Sequence, residues 1–477
     1  PTATLPGPLA AYGPIGACSD DDHHCSLEEA MRQYSGEQAV TLSLSALQGP
    51  VRSEGQSNLR EGLMLKVSRR AFVGMTALGA AMSARGTPSE ADSRPDSLAK
   101  LAKPIDASEQ AARVARLRSM LQRNGFTALL VEAGSSLEYF TGVRWWRSER
   151  TTAAIIPAEG PAVVVTPFFE VPSVKESLKI EADIRPWHED QSPFDLIADA
   201  LRGQPAARPL AVEHTTRHFI IDHLRKTNGF NREVVSGEAI VNACRMIKSP
   251  AELALLQAAA DVTINAIRHA YTNLKTGMAG PDIINMLVKA TEDLGGTHEF
   301  ALVLLNEASA YPHGSKNPQT VREGSVVLID TGCKVHGYSS DISRTWVYGE
   351  PTKRQREVWN TVKRGQEICL GTAKIGIPVG DIDIAVRKYY EGLGWATNYG
   401  LPGTPHRTGH GIGMDGHEPP NLMRADRTPL QAGMCFSDEP GIYIPGEFGV
   451  RMEDCWHMTE SGPQLFTPLA KSIDDPI

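Results

Sequence analysis

Five residues in the C-terminal half of the chain, Asp330, Asp341, His410, Glu439 and Glu453, carry side chains that suit divalent cations. Four carboxylates and one imidazole cannot be gathered in a protein interior without compensation. Each uncompensated carboxylate is strongly destabilising there or takes up a proton. Cations supply the compensation, and an oxygen-rich set with a single imidazole suits Mn, Co or Fe(II), and zinc less exclusively. Any one of these acids alone reads as a surface or ion-paired residue; the five together do not.

Each stands in a segment suited to presenting it. Asp330 ends the apolar run that starts at Ser325, which reads as a buried strand, with Thr331-Gly332 predicted as a turn. Asp341 lies in a second predicted strand, Tyr338 to Trp346. His410 is flanked by Gly409 and Gly411, which let backbone approach closely. Glu439 opens the segment that ends at Tyr443, and Glu453 falls in a predicted strand, Gly449 to Asp454.

The order Asp, Asp, His, Glu, Glu, and the phrase from Glu439 to Asp454 (EPGIYIPGEFGVRMED), resemble the dinuclear metallopeptidases of the pita-bread fold. The spacings are most similar to the shorter microbial prolidases (Xaa-Pro dipeptidases) and aminopeptidase P, and the resemblance covers roughly residues 105–470. It implies an α/β (α+β) chain: a creatinase-like N-terminal α/β domain over 105–240 and a pita-bread catalytic domain over 245–470. It also implies a metal site of two divalent ions, Mn first, with Co, Fe or Zn as alternatives. Asp330 would chelate one ion, Asp341 and Glu453 would bridge, and His410 and Glu439 would complete the other. Two cations sharing one water bring its pKa towards neutrality, and Glu439 beside it would shuttle the proton. His313 and His417 match family histidines that line the substrate pocket, and Arg451 matches an arginine that orients the site. The implied activity is hydrolysis of Xaa-Pro bonds in small peptides by a homodimer. The same fold also serves small-molecule enzymes, an ectoine-type hydrolase and a dimethylsulfoniopropionate lyase. The lyase pattern carries an extra Asp where this chain has Gly332, which favours the peptidase. A binding module without activity typically loses ligands, and all five are present here.

Several residues nearby invite the same reading and fail it. Asp438 and Asp454 adjoin expected ligands, so strand alternation turns them away from the cations; they read as supporting or solvent-facing acids. His336 fits no ligand position, and Cys333 reads as a buried apolar thiol. Trp145 and Trp146 suit either the mouth of the site or the core.

The elements around the site are legible too. A helix is predicted over 111–125, a strand over 127–131, and a hairpin from Ala153 to Thr166 around Gly160-Pro161. A long helix follows Ser249-Pro250, with one apolar face through Leu253, Leu256, Ala260, Ile264, Ile267, Tyr271 and Leu274. A second is predicted from Arg354 to Leu370. The chain has 477 residues and a net charge of −8, with no Lys/Arg run that would suit nucleic acid. Its seven cysteines make no disulfide framework, and no apolar run reaches membrane-spanning length.

Residues 1–63, rich in Gly, Pro, Ser and Ala, are expected to be a disordered or non-native extension. Within them Asp20 to Cys25 (DDDHHC) reads as a solvated charge cluster rather than a metal tract. Residues 64–90 resemble a twin-arginine export signal: Ser68-Arg69-Arg70 before a modest apolar stretch, Ala71 to Ala84. Met64 then becomes the expected initiator, and the mature protein is expected in the periplasm or outside the cell, the alternative being the cytoplasm.

Overall fold

The computed structural model describes residues 98–477; the expected extension, the Asp20–Cys25 tract and the export signal lie outside them. The first long helix, Ala107–Arg123, starts where the Asp106 carboxylate accepts from the Glu109 N–H at 2.9 Å. It buries Val114, Leu117 and Leu121 against a six-stranded sheet: β1 (Ala128–Glu132), β2 (Ala153–Pro157), β3 (Ala162–Pro167), β4 (Ala182–Trp187), β5 (Leu210–Val212) and β6 (Val234–Ser236), ordered β4-β3-β2-β1-β5-β6. The expected hairpin is β2–β3, pairing Ala153 with Val165. Alternation along these apolar strands splits their residues between two cores. Leu129, Val131, Ile156 and Val164 face Leu117 and Leu121, while Leu130, Ile155 and Val165 face Ile197, Ile220 and Leu224.

The second half begins with the helix Pro250–Asn273. Ser249 and Glu252 form a reciprocal capping box, with Pro250 in the first turn. Leu256, Ala260, Ile264 and Ile267 are buried as the periodicity predicts, but Tyr271 is at the surface, edge-on to Trp346. Leu274, the last residue of the stripe, is buried again.

This helix and Gly280–Asp293 cover an antiparallel sheet of β7 (Thr297–Leu305), β8 (Ser325–Val335) and β10 (Ile342–Tyr348), with β9 (Tyr338–Ser339) at the end of β8. A second antiparallel sheet, ordered β12-β11-β13-β16-β17, joins β11 (Gly409–Gly411), β12 (Glu418–Leu422), β13 (Cys435–Asp438), β16 (Asp454–Thr459) and β17 (Gly462–Leu465); β14 (Gly441–Tyr443) and β15 (Gly449–Arg451) form a separate hairpin. The helices Lys353–Thr372 and Gly380–Gly392 back these strands through Trp359, Val362, Phe436 and Trp456. One backbone bridge stitches the sheets together: Ser343 and Glu453 exchange N–H···O bonds of 3.2 and 3.0 Å.

Thr331-Gly332 is not a turn. Both residues continue β8, because Thr331 pairs with Ala301 on one side and Ile342 on the other. The reversal comes five residues later at His336-Gly337, both with positive φ. Asp341 falls in the break between β9 and β10 rather than inside one continuous strand.

Candidate active site

Ser343, fully buried on β10, is the point on which the site converges. It lies opposite Asp330 in the β8–β10 register, and Asp341 stands two residues before it, on the same face. Its backbone bridges Glu453, and its hydroxyl donates to Glu453 Oε2 at 2.8 Å. His410 and Glu439 come from the second sheet: His410 is on β11, and Glu439 follows β13, its N–H donating to Thr408 O at 2.8 Å. The glycines around His410 are required by crowding. A Cβ on Gly409 would lie 2.2 Å from Ser437 O, and one on Gly411 would lie 2.4 Å from Glu418 O.

These placements gather candidate ligand atoms within 4.8 Å of one another in overlapping sets: Asp330, Asp341 and Glu453, then His410, Glu439 and Glu453, then Asp341, His410 and His417. His410 Nε2 is 3.3 Å from Glu439 Oε1 and 3.7 Å from Asp341 Oδ2. Its Nδ1 lies 3.1 Å from Gly411 O. A carbonyl only accepts, so the proton sits on Nδ1 and the Nε2 lone pair faces the carboxylates.

The electrostatics describe a site short of positive charge. Burial, and after it the charges of Glu453, Asp330 and Glu439, push Asp341 well above the usual carboxylate range. Burial and the charges of Glu439 and Asp330 do the same to Glu453. Burial raises Glu439 to about 7, against the pull of Arg451. His410 is held neutral, by burial first and the facing His417 second. Arg451 brings one charge to the carboxylates, donating to Asp330 Oδ2 at 2.5 Å and to Tyr443 Oη at 2.8 Å. Asp330 Oδ1 and Glu453 Oε1 are buried with no hydrogen-bond partner. Orphaned acceptors and crowded acids are what divalent cations would relieve, so the residues present fit such ions.

The cluster floors a cleft of about 890 Å³ whose walls include Phe300, Leu302, Pro312 and Pro405. His313 and His417 both line it. Arg407 Nη2 donates to His417 Nδ1 at 3.1 Å, which leaves the His417 proton on Nε2, 4.0 Å from Asp341 Oδ2. Burial and the Arg407 charge lower the pKa of His417.

Three lining or supporting groups escape the sequence reading. His406 is held neutral, at about 3, by burial and Arg451; its Nδ1 donates to Arg407 O at 2.8 Å, and Tyr443 Oη donates to its Nε2 at 2.9 Å. Arg407 and Tyr443 complete that chain. The signal available was their position beside expected ligands, which says nothing about direction.

Asp438 and Asp454 do turn away from the cluster, but neither is solvent-facing: both are fully buried. Asp454 accepts from Arg344 at 2.7 Å and Gln366 at 3.0 Å. Burial pushes Asp438 well above the usual carboxylate range. Cys333 is buried against Thr263 and the Ala259 carbonyl, and His336 sits in the exposed turn. Trp145 is half-buried and Trp146 is 74% exposed, their rings stacked 5.5 Å apart. They border a separate cavity of about 530 Å³ that shares His417 with the cleft.

Two family models match the chain. Residues 254–460 match the model of metallopeptidase family M24, and residues 113–247 match the creatinase/prolidase N-terminal domain. An uncharacterized peptidase of Schizosaccharomyces pombe is 33% identical over 386 residues, spanning 76% of this chain and 82% of the relative. A Xaa-Pro dipeptidase of Lactobacillus delbrueckii subsp. lactis is 29% identical, spanning 75% and 97%. The crystal structure of dipeptidase PepE from Mycobacterium ulcerans superposes with a TM-score of 0.70 at 28% identity, covering 77% of this chain and 97% of that one. With its carboxylates and imidazole gathered on two sheets behind a creatinase-type domain, the chain belongs to metallopeptidase family M24.

Proposed function

We propose that the protein is an exopeptidase dependent on two divalent cations that hydrolyses Xaa-Pro bonds, as a Xaa-Pro dipeptidase or aminopeptidase. The observation that carries this reading is the overlap of the ligand sets at Glu453, with orphaned acceptors on Glu453 and Asp330, at the floor of an apolar-walled cleft. Asp330, Asp341, His410, Glu439 and Glu453 would hold the cations, with Mn(II) the proposed physiological metal. Bound there, the cations would acidify water and polarise the scissile carbonyl.

The chain's own groups do the rest. The proline nitrogen leaves as an amine and must gain a proton, which Glu439, facing the cleft, can carry to it. His417 Nε2–H points into the cleft and can donate to the carbonyl oxygen as negative charge develops; His313 at the rim is a second donor. Arg451 holds Asp330 in place. Arg407 has no carboxylate partner among the described residues, so its guanidinium suits a peptide's terminal carboxylate. Phe300, Leu302 and Pro312 offer the apolar surface a proline ring needs. Gly332 weighs against the lyase alternative: a Cβ there would lie 2.2 Å from Ser340 O, leaving no room for an aspartate.

Hydrolysis of Ala-Pro and Ala-Pro-Ala by protein stripped of metal and reloaded with Mn(II) tests the reading. Cleavage of the dipeptide alone assigns a dipeptidase, and cleavage of the tripeptide an aminopeptidase. Failure on both, with two metals bound per chain, overturns the peptidase reading in favour of a small-molecule hydrolase.

Export and dimerisation belong to the same proposal. The twin-arginine-like stretch supports export of the folded enzyme, and a mature chain that retains Arg69 and Arg70 would refute it. Among the described residues no helix is long and apolar enough to cross a membrane. A homodimer follows from the family resemblance and is tested by sedimentation.

A further inference from the structure

His417, aimed into the cleft, has 66% of its side chain accessible. Arg407 Nη2 and the His410 ring, 3.8 Å away, touch the ring itself, while its backbone is carried by the loop between β11 and β12. That loop is fastened at both sides of His417 to one guanidinium. Arg245 Nη2 donates to Asp415 Oδ2 and to Glu418 Oε2, each at 2.7 Å. Arg245 Nη1 donates to the hydroxyls of Ser135 and Ser136, each at 3.1 Å, and Ser135 Oγ donates back to Asp415 Oδ2 at 2.7 Å. Lys248 Nζ reaches the other oxygen of Glu418 at 2.5 Å.

Arg245 ends the helix Glu238–Arg245, and Ser135 and Ser136 begin the helix Ser135–Thr141. All three fall within the part of the chain that matches the creatinase/prolidase N-terminal domain, which supplies none of the five clustered ligands. Two bases face two acids, and three of the four side chains are nearly inaccessible. A balanced buried network of this kind contributes little net stability compared with apolar packing, and its best-attested use is to specify one arrangement. The arrangement it specifies is the path of residues 415–418.

We propose that Arg245 is a positioning residue for the reaction: by holding Asp415 and Glu418, the N-terminal domain fixes the loop that aims His417 Nε2–H into the cleft. The inference rests on the role given to His417 above. Its geometry is specific to a planar fork, since one nitrogen bridges two carboxylates while the other takes two hydroxyls. Lysine offers a point charge and cannot span the four partners.

A double-mutant cycle on the full-length, metal-loaded enzyme tests it, with kcat and KM for Ala-Pro or Ala-Pro-Ala, metal content and Tm recorded for every variant. His417→Ala is expected to lose about a hundredfold in kcat, the scale of one lost oxyanion donor. Arg245→Gln is expected to lose about tenfold in kcat with KM and metal content close to wild type, and Arg245→Lys to recover only part of that loss. In the His417→Ala background, Arg245→Gln should cost less than about twofold, because its effect passes through the ring already removed. Full multiplication of the two losses would overturn the proposal, as would wild-type kcat in Arg245→Gln. Should Arg245→Gln fail to fold, Asp415→Asn replaces it in the cycle, at a half-exposed carboxylate, with the same outcomes required. Wild-type kcat in His417→Ala would instead refute the role of His417, and this inference with it. Absence of Xaa-Pro cleavage by the wild-type enzyme would refute the functional reading itself.

Discussion

At the scale of single residues, the five candidate ligands were legible because their types are expensive to bury together and chemically redundant without cations. Asp330→Asn and Glu453→Gln each exchange an anionic oxygen for a neutral amide beside an acceptor that has no other partner. Each variant is expected to bind fewer than two metals per chain and to lose nearly all turnover; unchanged metal content in both would refute the ligand assignment. His313→Ala, outside the clustered ligand sets, should retain metal and lose kcat. His406 and Arg407 were not legible. A lone histidine or arginine in a loop carries no periodicity, and only coordinates reveal that a carbonyl fixes one ring's tautomer while a guanidinium fixes another's. The burial of Asp438 and Asp454 was half legible: alternation gave their direction, but nothing in the local sequence gave the second core that Phe436 and Trp456 build behind them.

At the scale of elements, helices with clear caps and strands with apolar runs were readable, and the turn between β8 and β10 was not. Thr331-Gly332 has the composition of a turn, but pairing partners on both sides hold it extended, so tertiary context overrides local preference. Gly332 is there because β8 lies against Ser340, not because the chain bends. Gly409 is a comparable case with a functional consequence. Its missing Cβ lets β11 approach Ser437 closely enough to bring His410 to Glu439. Gly409→Ala must push β11 away and is expected to destabilise the fold by about 1–3 kcal/mol, as overpacked sites do. It should also weaken metal binding more than its effect on Tm would suggest. Titration of the apo variant with Mn(II) beside a Tm measurement checks this, and wild-type metal affinity would show that β11 has slack.

At the scale of the whole molecule, the carboxylate cluster links stability to pH and metal. In the cation-free protein Glu439 is raised from 4.5 to about 7, and Asp341 and Glu453 are held well above the usual carboxylate range by burial and neighbouring carboxylates. The folded state therefore holds these protons more tightly than the unfolded chain. The stability Glu439 contributes this way is complete below about pH 4.5 and is lost as pH rises through about 7. Cations replace the protons, so the rise in Tm on adding Mn(II) should be small at pH 5 and large at pH 8. A rise that does not change between these pH values would mean that the cluster is not where the metal binds. Long-range organisation of this kind, like the pairing of Arg245 with residues some 170 positions later, leaves no trace in local sequence.

The Arg245 network also decides how the protein can be divided. A fragment starting near residue 254, where the metallopeptidase match begins, would carry Asp415 and Glu418 without the guanidinium and the two serines that face them. A graft whose foreign N-terminal domain has no counterpart of Arg245, Ser135 and Ser136 inherits the same mismatch. The unit that can be exchanged between homologues is therefore a composite, Ser135, Ser136 and Arg245 together with residues 415–418, and recombination that respects the linear domain boundary would cut through it.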